Sequence, residues 1–115
     1  MSFRMLIMVA SLFIGGVAQA HHGWSSYDDN EEIRLNGSIV DSSYTYPHAS
    51  IRLQVGDRVW TVVLAPPSRM SSRGIPGDRL KEGDQVAVEG YASRRDPNEL
   101  RAERITIDQQ TVELR

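Results

Sequence analysis

Three histidines carry the most reactive chemistry in this sequence, and their spacing is uneven: His21 and His22 adjoin, and His48 stands apart. Ala18-Gln19-Ala20 precedes the pair in the small-x-small form of an export cleavage site, so cutting after Ala20 makes His21 the first residue. A terminal histidine offers one ion both its α-amine and an imidazole nitrogen. The amine, with a pKa of roughly 7.7–8, surrenders its proton to a metal cheaply near neutral pH. An imidazole from His48 completes a T-shaped set of three nitrogens, with His22 as the substitute if the cleavage site shifts. Nitrogen ligands in tetragonal geometry favour Cu(II), which also tops the divalent affinity order. Zn(II) fits the same nitrogens, with Asp28, Asp29, Glu31 and Glu32 near enough in sequence to add oxygens. On the other reading the pair is simply an exposed end and His48 caps a turn behind Pro47. Both readings stay open on the sequence.

The arginines form the second chemical group. Arg4 is the one charge in residues 1–20, which leaves 12 basic and 15 acidic residues after it and a net charge of −3. All but Lys81 of those basic residues are arginine. Arg69 and Arg73 share one face if the segment is helical. Arg94 and Arg95 lie in a charged stretch, Ser93 to Glu99, with Arg101 and Arg104 close behind. A guanidinium fork fits carboxylate or phosphate, so Arg94 and Arg95 are candidates for holding an anionic ligand or an acidic partner. The competing expectation is that the interleaved acids Asp78, Asp96, Glu99 and Glu103 pair with these arginines on an ordinary mixed surface.

The elements that must position these residues follow from the pattern. Arg4, the apolar run from Met5 to Ile14 and the Gly15-Gly16 break read as a signal peptide, 1–20, too short to span a bilayer of roughly 20 residues. The mature chain is expected in a bacterial periplasm, without a membrane span. Residues 21–32 read as an irregular arm with two aromatics, Trp24 and Tyr27. From 33 to 115 the apolar period is two. Strands are expected over 33–39, 51–55, 58–64, 86–91, 100–107 and 111–114. Gly56-Asp57 closes a hairpin, Gly37 suits a bend or bulge, and the apolar register slips between Ala102 and Ile105, which predicts a bulge there. Val59 to Leu64 is apolar on both sides except Thr61, the pattern of a strand covered on both faces. Pro67 and Ser68 open a short helix that Gly74 ends. Five principal strands with a helix between the third and fourth predict an all-β fold: a small Greek-key barrel of the oligonucleotide/oligosaccharide-binding (OB) type. A two-sheet sandwich is the alternative.

A set of motifs also resembles a known family. His21-His22-Gly23-Trp24-Ser25, Tyr46-Pro47-His48, Ala65-Pro66-Pro67-Ser68-Arg69-Met70 and Arg73-Gly74 are similar, in this order, to segments of the exported bacterial proteins grouped as domain of unknown function 6152. So are Leu80-Lys81-Glu82-Gly83-Asp84, Val88-Glu89-Gly90-Tyr91 and Arg101-Ala102-Glu103-Arg104-Ile105. The resemblance implies an exported β-barrel domain and no established activity.

Several classes drop out. With no cysteine there are no disulfides, thiolate metal sites or cysteine nucleophiles. No Gly-x-Ser-x-Gly, phosphate loop or dinucleotide fingerprint occurs, so no enzyme is expected. An acidic, exported chain without a basic stripe is not expected to bind nucleic acid. Two readings remain: a periplasmic protein binding copper through His21 and His48, or a module that binds another periplasmic protein or an anion without metal.

Overall fold

Alternating apolar residues build each strand, and in the computed structural model, which describes residues 23–115, the strands close into a ring. β1 (Ile33–Ser43), β2 (Ser50–Val55) and β3 (Arg58–Val63) form an antiparallel meander. The helix α1 (Pro67–Ser72) follows, then β4 (Gln85–Ala92) and β5 (Glu99–Ile107). β4 pairs with β1, β5 pairs with β4, and β5 runs parallel to β3, so five strands form a closed OB-like Greek-key barrel. β6 (Gln110–Glu113) lies outside the ring, hairpinned onto β5. Closure leaves β2 and β3 without the open edges that invite association.

The inward residues are those the period of two selects. Ile39, Ile51, Leu53, Val62, Val88, Leu100 and Ile105 are fully buried. α1 has Pro67 in its first turn, where the missing N–H costs nothing, and it sends Met70 into the same core. The two-sided apolar run of β3 is not covered on both faces: Val62 is buried, Val59 is exposed and Val63 is half-buried. A five-stranded barrel has one interior, so the outer valines of β3 meet solvent or a cleft.

The bulge expected on β5 is present. Glu89 pairs with Arg104 and Gly90 with Ala102, which leaves Glu103 as the extra residue. A Cβ on Gly90 would overlap the carbonyl oxygen of Arg101, so the close crossing here needs glycine. The β1 bulge lies between Ile39 and Asp41 rather than at Gly37. Gly37 instead admits the carbonyl of Gln54, which crosses where its side chain would be. β1 also continues to Ser43, through residues expected to begin a turn.

Outside the barrel, arginines pair with acids across neighbouring strands. Arg104 binds Glu32, Glu89 at 2.9 Å and Glu113 at 2.9 Å, and Arg34 reaches Glu89 from β1. The α1 pair is structural too: Arg69 donates to the carbonyl of Leu114 at 3.2 Å, and Arg73 to that of Glu113 at 2.6 Å. These bonds fasten the chain after β6 to the helix.

Candidate functional site

The site forms where the arm returns onto one end of the barrel. Trp24–Ser26 makes a single 3-10 turn, after which Tyr27 bridges Ser93 in β fashion. Two main-chain bonds fix this strip: Arg94 N–H to Ser26 at 3.0 Å and Asp28 N–H to Ala92 at 2.8 Å. Tyr27 is only 5% exposed, and its hydroxyl donates to Glu99 at 2.8 Å. Burial, the hydrogen bond to Glu99 and the carboxylate's charge push the Tyr27 phenol well above its ordinary pKa, so it stays a neutral donor.

Between this strip and the barrel lies a cavity of about 350 Å³. The arm contributes Ser26 and Tyr27, the loop before β2 contributes His48, and the end of β3 contributes Val63. The loop joining β4 to β5 adds Ser93, Arg95 and Asp96, and the start of β5 adds Glu99 and Arg101. The parallel pairing of β3 with β5 is what assembles them, since it sets Val63 opposite Arg101. On OB barrels the loops at these two positions flank the ligand-binding face.

The bonding inside the cavity is unequal. Arg101 is 8% exposed, and its Nη2 lies 3.3 Å from His48 Nε2. A guanidinium can only donate, so this contact uses the lone pair of His48 Nε2. Ser93 Oγ accepts from the N–H groups of Arg95 at 3.2 Å and Asp96 at 3.1 Å, which leaves its hydroxyl proton to give. The two carboxylates are already engaged: Asp96 accepts the N–H of Asn98 at 2.9 Å, and Glu99 accepts Tyr27. The Arg95 side chain forms no hydrogen bond or ion pair with any described residue.

On the far side of Arg101, its guanidinium carbon lies 4.5 Å from the centre of the Trp24 ring, and that of Arg115 lies 4.6 Å from the same centre. Trp24 also meets Tyr91 edge-on at 6.0 Å. Burial holds the Arg101 guanidinium below the ordinary arginine pKa, and the charges of Arg115 and Arg69 act the same way, against Tyr27 and Glu103.

Of the residues singled out by sequence, His48 and Arg95 line the cavity. Arg94 does not; it faces Asp29 at 3.9 Å. His21 and His22 lie outside the described residues, as does the segment 1–20. Among the described residues no three His, Cys, Asp or Glu side chains gather as a metal-ligand group. No helix among them is long and apolar enough to cross a membrane. Ser93 and Glu99 were not anticipated as site residues. The OB strand order could have found Glu99, because it places the start of β5 beside the end of β3.

Residues 9–100 match the profile of a family described as "Family of unknown function (DUF6152)". The chain belongs to that family. No curated protein matches it. Among solved structures, the Stn1-ten1 complex of S. pombe aligns with a TM-score of 0.55 at 17% identity, covering 69% of this chain and 59% of that one. Asparaginyl-tRNA synthetase from Pyrococcus horikoshii aligns at 0.54 and 16%, over 69% of this chain and 19% of the other. TiaS bound to tRNA and ATP aligns at 0.53 and 21%, over 77% and 20%. At these identities the likeness establishes the barrel fold alone, and this DUF6152 chain spans only part of each neighbour's length.

Proposed function

We propose that this DUF6152 protein is a periplasmic binding module, without catalytic turnover, whose cavity between arm and barrel takes an anionic group on a small ligand or partner protein. One observation carries the reading: the Arg95 guanidinium lines the cavity and forms no hydrogen bond or ion pair with any described residue. The Ser93 hydroxyl beside it accepts two N–H groups and keeps its own proton to give, while Asp96 and Glu99 accept bonds from their own chain. An oxyanion matches these donors, and Arg95 at an exposed position is suited to meeting it first. Some fold neighbours are described with tRNA, but the net charge of −3 after residue 20 and the carboxylates interleaved with the arginines speak against nucleic acid here. The test is equilibrium binding of succinate and of inorganic phosphate to the purified protein. Arg95→Ala should weaken whichever binds by roughly fivefold, and Arg94→Ala should leave it unchanged. Equal losses from both, or no binding, would reject the assignment.

A second reading, Cu(II) held by the His21 amine and imidazole with His48, draws support from one feature. Ser26, five residues after His21, lines the same cavity as His48, within the roughly 17 Å that five residues can span. Arg101 bears on it directly, because a metal on His48 Nε2 must displace the arginine from that lone pair. On this reading Arg101→Met tightens Cu(II) binding in protein beginning at His21, and His48→Ala abolishes the nitrogen-rich paramagnetic resonance spectrum. If Arg101→Met and His48→Ala both leave Cu(II) binding unchanged, His48 is no ligand.

A further inference from the structure

Arg101 has two sides, and the anion-binding cavity uses only one of them. The other side rests on Trp24, where Arg115 rests as well. Arg69, fastened to the carbonyl of Leu114, stands close enough for its charge to act on Arg101. Two guanidiniums therefore share one indole in a chain whose charge after residue 20 is negative. Among the described residues Glu103 pairs with Arg115, at 3.6 Å. Arg115 keeps 58% of its side chain exposed despite that contact. Holding like charges together costs free energy, and their position beside the cavity means that a second anionic group reaching past Arg101 would relieve that cost.

The geometry points to a continuous track for an acidic peptide segment, one carboxylate entering the cavity at Arg95 and another meeting Arg115 beside Trp24. The inference rests on the anion-binding reading of the cavity and extends it to the class of partner. A peptide is favoured over a lone small anion because alternate residues of an extended strand present side chains about 7 Å apart on one face. Two guanidiniums that each lie within 4.6 Å of one ring centre stand at most about 9 Å apart, within reach of carboxylates on neighbouring flexible side chains. Guanidinium forks also match carboxylates two bonds at a time. The indole is already contacted by both arginines, which disfavours a sugar stacking on Trp24 as the main contact.

The experiment uses a fluorescein-labelled hexaglutamate peptide followed by anisotropy at low salt, beside unlabelled succinate and vesicles of phosphatidylglycerol. Hexaglutamate should bind at least tenfold more tightly than succinate and compete with it. Arg115→Ala should cost the peptide roughly fivefold while leaving succinate unchanged, and Arg115→Lys should recover part of the loss. Arg95→Ala should weaken both probes. Thermal melts establish that each variant folds, and the half-exposed Arg115 can be replaced without disturbing the core. If succinate binds in an Arg95-dependent way and hexaglutamate is no tighter, the track is refuted while the cavity reading stands. If neither binds, both fall. Binding of vesicles without binding of hexaglutamate would overturn the peptide in favour of a membrane surface.

Discussion

Replacing Tyr27 by Phe removes one oxygen and keeps the ring that packs the arm against the barrel. The lost bond, 2.8 Å long, runs from a phenol that is 5% exposed to the carboxylate of Glu99. A hydrogen bond to a charged group contributes about 1.5–3 kcal/mol. Glu99 borders an open cavity, so water can replace part of what the hydroxyl supplied, and the expected loss is about 1–2 kcal/mol. For a domain of this size that lowers the melting temperature by about 5–10 °C. Tyr27→Ala also empties the ring's volume and should cost about 3–5 kcal/mol. Urea denaturation of the three proteins, followed by circular dichroism, separates the two contributions. Anion binding should weaken in both variants, because Glu99, no longer satisfied by the hydroxyl, becomes a repulsive acceptor inside the site. A Tyr27→Phe protein with unchanged stability and unchanged binding would refute the claim that the arm is bonded to Glu99 and shapes the cavity.

Other expectations follow from the same structure. Gly90→Ala drives a methyl group into the carbonyl of Arg101 and should destabilise by about 2–3 kcal/mol in urea titration, with a loss of anion binding larger than its loss of stability predicts. On the acid side, the hydrogen bond from Arg104 holds the Glu89 carboxyl below its ordinary range. Stability from Glu89 is therefore complete above the unfolded pKa of roughly 4.3 and is lost as pH falls through the lower folded value. Arg104→Met should flatten that acid limb in denaturation midpoints measured from pH 6 downward. On the alkaline side, burial pushes the Tyr44 phenol up to about 12. Its contribution is present below the unfolded value of roughly 10 and declines as pH rises towards the folded one, a decline that Tyr44→Phe should reduce.

Most of the barrel was legible because a strand's two faces are written in alternate residues. The period of two placed Ile51, Leu53 and Val88 inside, and the slip between Ala102 and Ile105 announced the Glu103 bulge. Val59 misled because apolarity does not say which face is covered; that depends on β3 having a single interior to serve. The β1 bulge was misplaced for a related reason. Gly37 signals a close backbone crossing as readily as a bulge, and only the position of Gln54 distinguishes them. At the site, His48 and Arg95 were visible as loop residues of chemical type. Arg94 was not separable from its neighbour, because which of two adjacent arginines faces the cavity is set by the loop's bonds to Ser93 and Ser26. Tyr27 and Glu99 are 72 residues apart, and nothing local marks them as partners.

The central claim is that the cavity between arm and barrel binds anions through Arg95 and Arg101. Nuclear magnetic resonance of the arginine Nε–Hε groups during a succinate titration tests it most directly. Anion binding in the cavity should give saturable shifts at Arg95 and Arg101, with Arg34, Arg52 and Arg94 unmoved. Shifts spread over all the arginines, or confined to those outside the cavity, would contradict it.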